Sequence, residues 1–82
     1  MATVNVKLFA GLQGLVGRPS VDVLVPDGAT VGQLRAQIVE DYPVLEALMN
    51  TLVCAVGEEM VDVEHVIRAG EQVELIPPIS GG

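Results

Sequence analysis

The stretch Thr30-Val31-Gly32-Gln33-Leu34-Arg35-Ala36-Gln37-Ile38-Val39-Glu40-Asp41-Tyr42-Pro43 carries its own start signal, its own stop signal and one apolar face. Thr30 followed by Gln33 reads as a capping box, in which the threonine hydroxyl satisfies a free N–H of the first turn and the glutamine reaches back to the threonine N–H. Val31, Leu34, Ile38 and Tyr42 then recur at helical spacing, opposite Gln33, Gln37 and Glu40. Pro43 breaks the run, because it has no N–H to donate. One amphipathic helix therefore sits in the middle of the chain.

The segments before it read as strands. Residues 3–9 place Val4, Val6 and Leu8 on one face and Thr3, Asn5 and Lys7 on the other, and residues 20–25 repeat the alternation with Val21, Val23 and Val25 inward. Pro26-Asp27-Gly28 closes the second strand, and the two strands are expected to pair as a hairpin. Between them, Gly11, Gly14 and Gly17 fit neither the G-x-G-x-x-G nor the P-loop spacing, so they read as a loop or short helix without a nucleotide site. After the helix, Val44, Leu45, Leu48 and Met49 suggest a second short helical piece ending near Asn50. Residues 52–56 form a continuous apolar run, as a buried central strand does, and Gly57-Glu58-Glu59 turns the chain. Residues 60–63 read as a short returning strand, Ala69-Gly70-Glu71 as a turn, and residues 72–76 alternate again. The order strand, strand, helix, strand, short strand, strand predicts an α+β domain over residues 1–82, a mixed sheet with one main helix packed across one face.

Composition narrows the function. With 50% hydrophobic but only 2% aromatic residues, the interior must be aliphatic. Cys54 is the one cysteine, which excludes internal disulfides and a cysteine cage for metal, and makes a reducing, cytoplasmic setting the default. There is no basic segment leading an apolar one and no apolar run of about 18 residues, so neither export nor membrane insertion is expected. A formal charge of -7 disfavours nucleic acid; it fits a basic protein partner or simply solubility. Cys54 reads as an inert buried thiol, and His65 beside Asp62 and Glu64 as a solvated surface histidine, since no second His or Cys completes a metal set. With no paired nucleophile and base, the chain is not expected to catalyse alone.

Strand phase gives a positive signal. Phe9 shares parity with Asn5 and Lys7, Ile76 with Gln72 and Glu74, and Met60 with Asp62, so these three apolar side chains should lie on the outer face of the sheet, with Leu24 as a candidate fourth. If the first and last strands are central neighbours, the residues merge into a docking patch; covering by the extra helical piece is the alternative. Pro77-Pro78 should end the last strand and aim residues 77–82 outward as an extended, flexible tail. Residues 79–82 span about 13–14 Å when extended, and a Gly81-Gly82 end bearing a free carboxylate fits a channel too narrow for other residues. An ordinary frayed end is the other reading.

Element order, Lys7-Leu8-Phe9-Ala10, Glu74-Leu75-Ile76-Pro77-Pro78 and the terminal Ser80-Gly81-Gly82 together resemble the MoaD/ThiS sulfur-carrier family, to which molybdopterin synthase small subunits belong. The resemblance covers essentially the whole chain. It implies a ubiquitin-like β-grasp fold, and a cycle in which a ubiquitin-activating-like adenylating enzyme uses ATP to adenylate the Gly82 carboxylate. Sulfur, supplied indirectly by a sulfurtransferase, then replaces the adenylate to give a thiocarboxylate. It further implies docking through Phe9, Met60, Ile76, Pro77 and Pro78 on the molybdopterin synthase large subunit, in a heterotetramer, where the tail delivers sulfur to cyclic pyranopterin monophosphate. No cofactor would be bound by this chain itself. Carriage of sulfur to thiamin, cysteine or tRNA, attachment of Gly82 to lysines as a protein modifier, and a non-catalytic β-grasp interaction module remain as alternatives.

Overall fold

The computed structural model describes residues 1–9 and 11–77; Pro78, Gly81, Gly82 and the expected outward course of the tail lie outside the described residues. Five strands, β1 (Ala2–Leu8), β2 (Ser20–Val25), β3 (Val53–Val56), β4 (Glu59–Val61) and β5 (Gln72–Ile76), form one sheet in the order β2-β1-β5-β3-β4. β1 pairs antiparallel with β2 and parallel with β5, while β3 is antiparallel to both β5 and β4, so the sheet is mixed and its first and last strands are adjacent. The connector between β1 and β2 forms a short helix, α1 (Gly11–Val16), which contributes Leu12 to the core.

The main helix is α2 (Val31–Asp41). Thr30 holds an extended backbone (φ -87°, ψ 166°), its Oγ1 accepts from the Gln33 N–H at 3.2 Å, and its own N–H donates to Gln33 Oε1 at 2.9 Å. The capping box is thus formed as the sequence predicts. Two further N–H groups of the first turn are satisfied by the loop after β4: Val31 donates to the His65 carbonyl and Gly32 to the Val63 carbonyl, each at 2.9 Å. A Cβ on Gly32 would stand 3.3 Å from that same Val63 oxygen, a tight contact that would push the loop carbonyl back by a few tenths of an ångström.

This contact also corrects the expected strand over residues 60–63. β4 ends at Val61, because the following carbonyls serve the N-terminus of α2 rather than the sheet, and Val63 is 50% exposed rather than inward.

At its other end α2 stops at Asp41. Tyr42 still donates to the Ile38 carbonyl at 2.7 Å, and Pro43 opens a 3-10 turn (Pro43–Leu45) that continues into α3 (Glu46–Met49). Leu45 and Met49 enter the core, whereas Val44 and Leu48 face out. The Arg35 guanidinium donates to the Met49 carbonyl, fastening the end of α3 to α2.

The core is aliphatic throughout: Val4, Val6 and Leu8 of β1, Val21, Val23 and Val25 of β2, Cys54, Val73 and Leu75 meet Val31, Leu34 and Ile38 of α2. All lie on one face of the sheet, as the period-2 pattern requires. Among the described residues no polar or charged side chain is fully buried.

Candidate docking face at the end of β5

Among the described residues the main helix packs on one face only, and the strand registers assign the residues of the opposite face row by row. Residues directly opposite each other in paired strands share a face. One row runs Asp22, Asn5, Gln72; the next runs Ser20, Lys7, Glu74, Ala55, Met60. In a further row Ile76 faces Val53, and Phe9, one step beyond the Leu8–Leu75 pair, keeps the ladder through its N–H to the Leu75 carbonyl at 3.3 Å. Phe9, Val53, Met60 and Ile76 lie outside the core, whereas Ala55, though on this face, is itself buried at 2% exposure.

These five form an apolar patch on the end of the outer face from which β5 leads into Pro77. Phe9, Val53 and Ile76 are half-buried, while Met60 on the short edge strand is 71% exposed. Lys7 lies at the border of the patch with its Nζ 5.1 Å from the centroid of the Phe9 ring, a cation–π arrangement that also fixes the ring on the outer face. Gln13 donates to the Leu8 carbonyl at 2.9 Å, so α1 secures the end of β1 where Phe9 begins.

Leu24 does not join the patch. It is 56% exposed and opposite Thr3, beyond the polar row in which Asn5 donates to Asp22 Oδ1 at 3.0 Å and Gln72 donates to Asn5. That hydrogen-bonded row separates Leu24 from the apolar patch. Val53 and Ala55, by contrast, are patch members that the sequence hid, because the continuous run of residues 52–56 shows no alternation. Antiparallel pairing of Val53 with Ile76, whose parity was readable, is what assigns their face.

The remaining candidate groups are inert or structural. Cys54 is buried among the core residues, and burial pushes its thiol above the ordinary value, only partly offset by the nearby Arg35 guanidinium. His65 is half-buried rather than solvated: its Nε2 is 3.5 Å from Glu71 Oε1 and makes no hydrogen bond. No group of three or more metal-ligating side chains occurs among the described residues. No helix among them is long and apolar enough to cross a membrane. A shallow cavity lined by Thr3, Pro26, Asp27, Arg68 and Glu71 lies at the opposite end of β1 from Phe9.

A mixed five-stranded sheet wrapped on one main helix, with parallel first and last strands at its centre, is the ubiquitin-like β-grasp class. Sequence comparison then gives the particular family: the ThiS family model matches residues 6–82, and the chain belongs to that family. It is 32% identical over 79 residues to the molybdopterin synthase sulfur carrier subunit of Arabidopsis thaliana, covering 96% of this chain and 82% of the relative. It is 32% identical over 85 residues to the subunit of that name in Homo sapiens, covering 100% and 97%. Among solved structures, small archaeal modifier protein 1 of Haloferax volcanii superimposes with a TM-score of 0.86 at 29% identity, covering 96% of this chain and 100% of that one.

Proposed function

We propose that this chain is the sulfur-carrier small subunit of a molybdopterin synthase. A carboxylate is a poor electrophile until one oxygen becomes a good leaving group. In this reading the Gly82 carboxylate attacks ATP on an activating enzyme and releases pyrophosphate. Sulfur from a persulfide then attacks the acyl carbon and expels AMP, and a second thiol cleaves the resulting acyl disulfide, forming a disulfide with the donor and leaving a thiocarboxylate. The large subunit supplies the catalytic residues and the pterin precursor, and the carrier supplies sulfur on a side-chain-free tip. Gly81 has no Cβ and so lets that tip enter a narrow channel.

The observation that carries this reading is the position of the apolar patch. Phe9, Met60 and Ile76, with Val53 and Ala55, lie on the sheet face opposite the main helix, at the end from which β5 continues into Pro77 and the residues leading to Gly82. A partner seated on the patch would hold the start of the tail against its own surface. Full-length similarity to proteins called molybdopterin synthase sulfur carrier subunits supports the same reading.

Intact mass spectrometry of the chain co-expressed with its activating enzyme tests it. The expected result is a mass increase equal to the exchange of one oxygen for sulfur, lost when Gly82 is deleted. A chain that never gains this mass while the enzyme is active on it refutes the carrier role.

The likeness to a small archaeal modifier protein favours one second reading, attachment of Gly82 to lysines of other proteins. Peptide mapping for branched lysines in cells expressing the chain separates the two.

A further inference from the structure

The chain contains one lysine, Lys7, and it lies on the outer face at the border of the docking patch. We propose that Lys7 is an acylation site for the glycine end of a second copy of this chain, open while the outer face is free and closed once a partner is docked there. The inference rests on the proposed activation of Gly82.

Three groups on the chain could trap an acyl adenylate as a thioester or an amide: one thiol, one α-amine and one side-chain amine. The Cys54 thiol is buried beneath the sheet and out of reach of another molecule. The Met1 α-amine is 3.5 Å from the Asp27 carboxylate, beside the N-terminal end of β1 and away from the patch. Lys7 is exposed, and its ammonium lies over the Phe9 ring, at the border of the surface that the activating enzyme and the large subunit would cover.

In the reaction the neutral Lys7 amine attacks the carbonyl carbon of the Gly82 acyl adenylate. The C–N bond forms, the C–O bond to the adenylate phosphate breaks, AMP leaves with the electron pair, and nitrogen loses a proton. The acceptor copy then carries a whole domain on its docking face and is withdrawn from sulfur transfer. With a single lysine, each copy accepts one branch. Docking would therefore have two effects, directing the activated end to sulfur and hiding the amine that would otherwise trap it.

The test combines the full chain, ATP with magnesium and its activating enzyme, omits the sulfur donor, and reads pyrophosphate release, intact mass and tryptic peptides. The expected product has twice the chain mass less one water. Its branched peptide joins Lys7 to the donor's residues 69–82, because cleavage after Arg68 frees that segment. Normalised to pyrophosphate release, the product should vanish in Lys7→Arg and be suppressed by saturating large subunit. Release of pyrophosphate with no branch, with a branch only on Met1, or with a branch that the large subunit does not suppress overturns this inference and leaves the carrier reading standing. No pyrophosphate release at all refutes the activation of Gly82, and with it both.

Discussion

Met60→Ala separates docking from folding, because Met60 is an apolar side chain that the folded chain leaves 71% exposed. Full burial of a methionine side chain contributes about 1.5–3 kcal/mol. In the free domain only about three-tenths of that is realised, so truncation should cost folding roughly 0.4–0.9 kcal/mol. A partner that buries the rest gains about 1–2 kcal/mol from this residue, which corresponds to a loss of roughly 5- to 30-fold in affinity on truncation. Its place on the three-residue edge strand β4, paired to Ala55, means that few core contacts change. The assay is calorimetric titration of wild type and variant against the molybdopterin synthase large subunit, with thermal denaturation of both. A variant that binds within twofold of wild type, or one that melts as though a core residue had been removed, refutes the placement of Met60 in the docking surface.

Thr30→Ala removes the hydroxyl that caps α2 and should lower stability by about 1 kcal/mol in urea denaturation, whereas Thr30→Ser should retain most of it. Glu58 occupies the left-handed region (φ 70°) in the two-residue Gly57-Glu58 connection between β3 and β4. Relief of that strain, worth about 1–2 kcal/mol, outweighs the added chain entropy of glycine, so Glu58→Gly should raise the melting temperature and a lower one would contradict the turn geometry. The buried Cys54 thiol titrates above its ordinary value of 9.0, so the folded state binds this proton more tightly than the unfolded state. Its contribution is complete below that pH and is lost as pH rises through the folded value, so the alkaline fall in stability should be shallower in Cys54→Ala than in wild type. Thiol reagents should label Cys54 only at the rate of unfolding.

Much of the architecture is local in origin, and for that reason legible. The capping box of Thr30 and Gln33, the stop at Pro43 and the alternation in β1, β2 and β5 are decided by hydrogen bonds and side-chain spacing within a few residues. Ile76 and Phe9 could be assigned to the outer face because the period of a strand is 2, and any polar neighbour in phase reports the solvent side. The failures share a cause. Val63 looked like an inward strand residue, yet its carbonyl is taken by Gly32 of α2, some thirty positions earlier in the chain. Leu24 looked like a patch member, yet the Asp22–Asn5–Gln72 row stands between it and Phe9.

The sequence by itself determined one main helix, the two faces of each alternating strand, an aliphatic interior and an acidic surface, because each follows from composition or from spacing along the chain. Only the tertiary structure decided that β1 and β5 lie side by side, that Val53 and Ala55 complete the patch begun by Phe9, Met60 and Ile76, and that Lys7 borders it. Adjacency across a sheet depends on the register between distant strands. Burial of one shared core selects that register, and spacing within any single strand does not encode it.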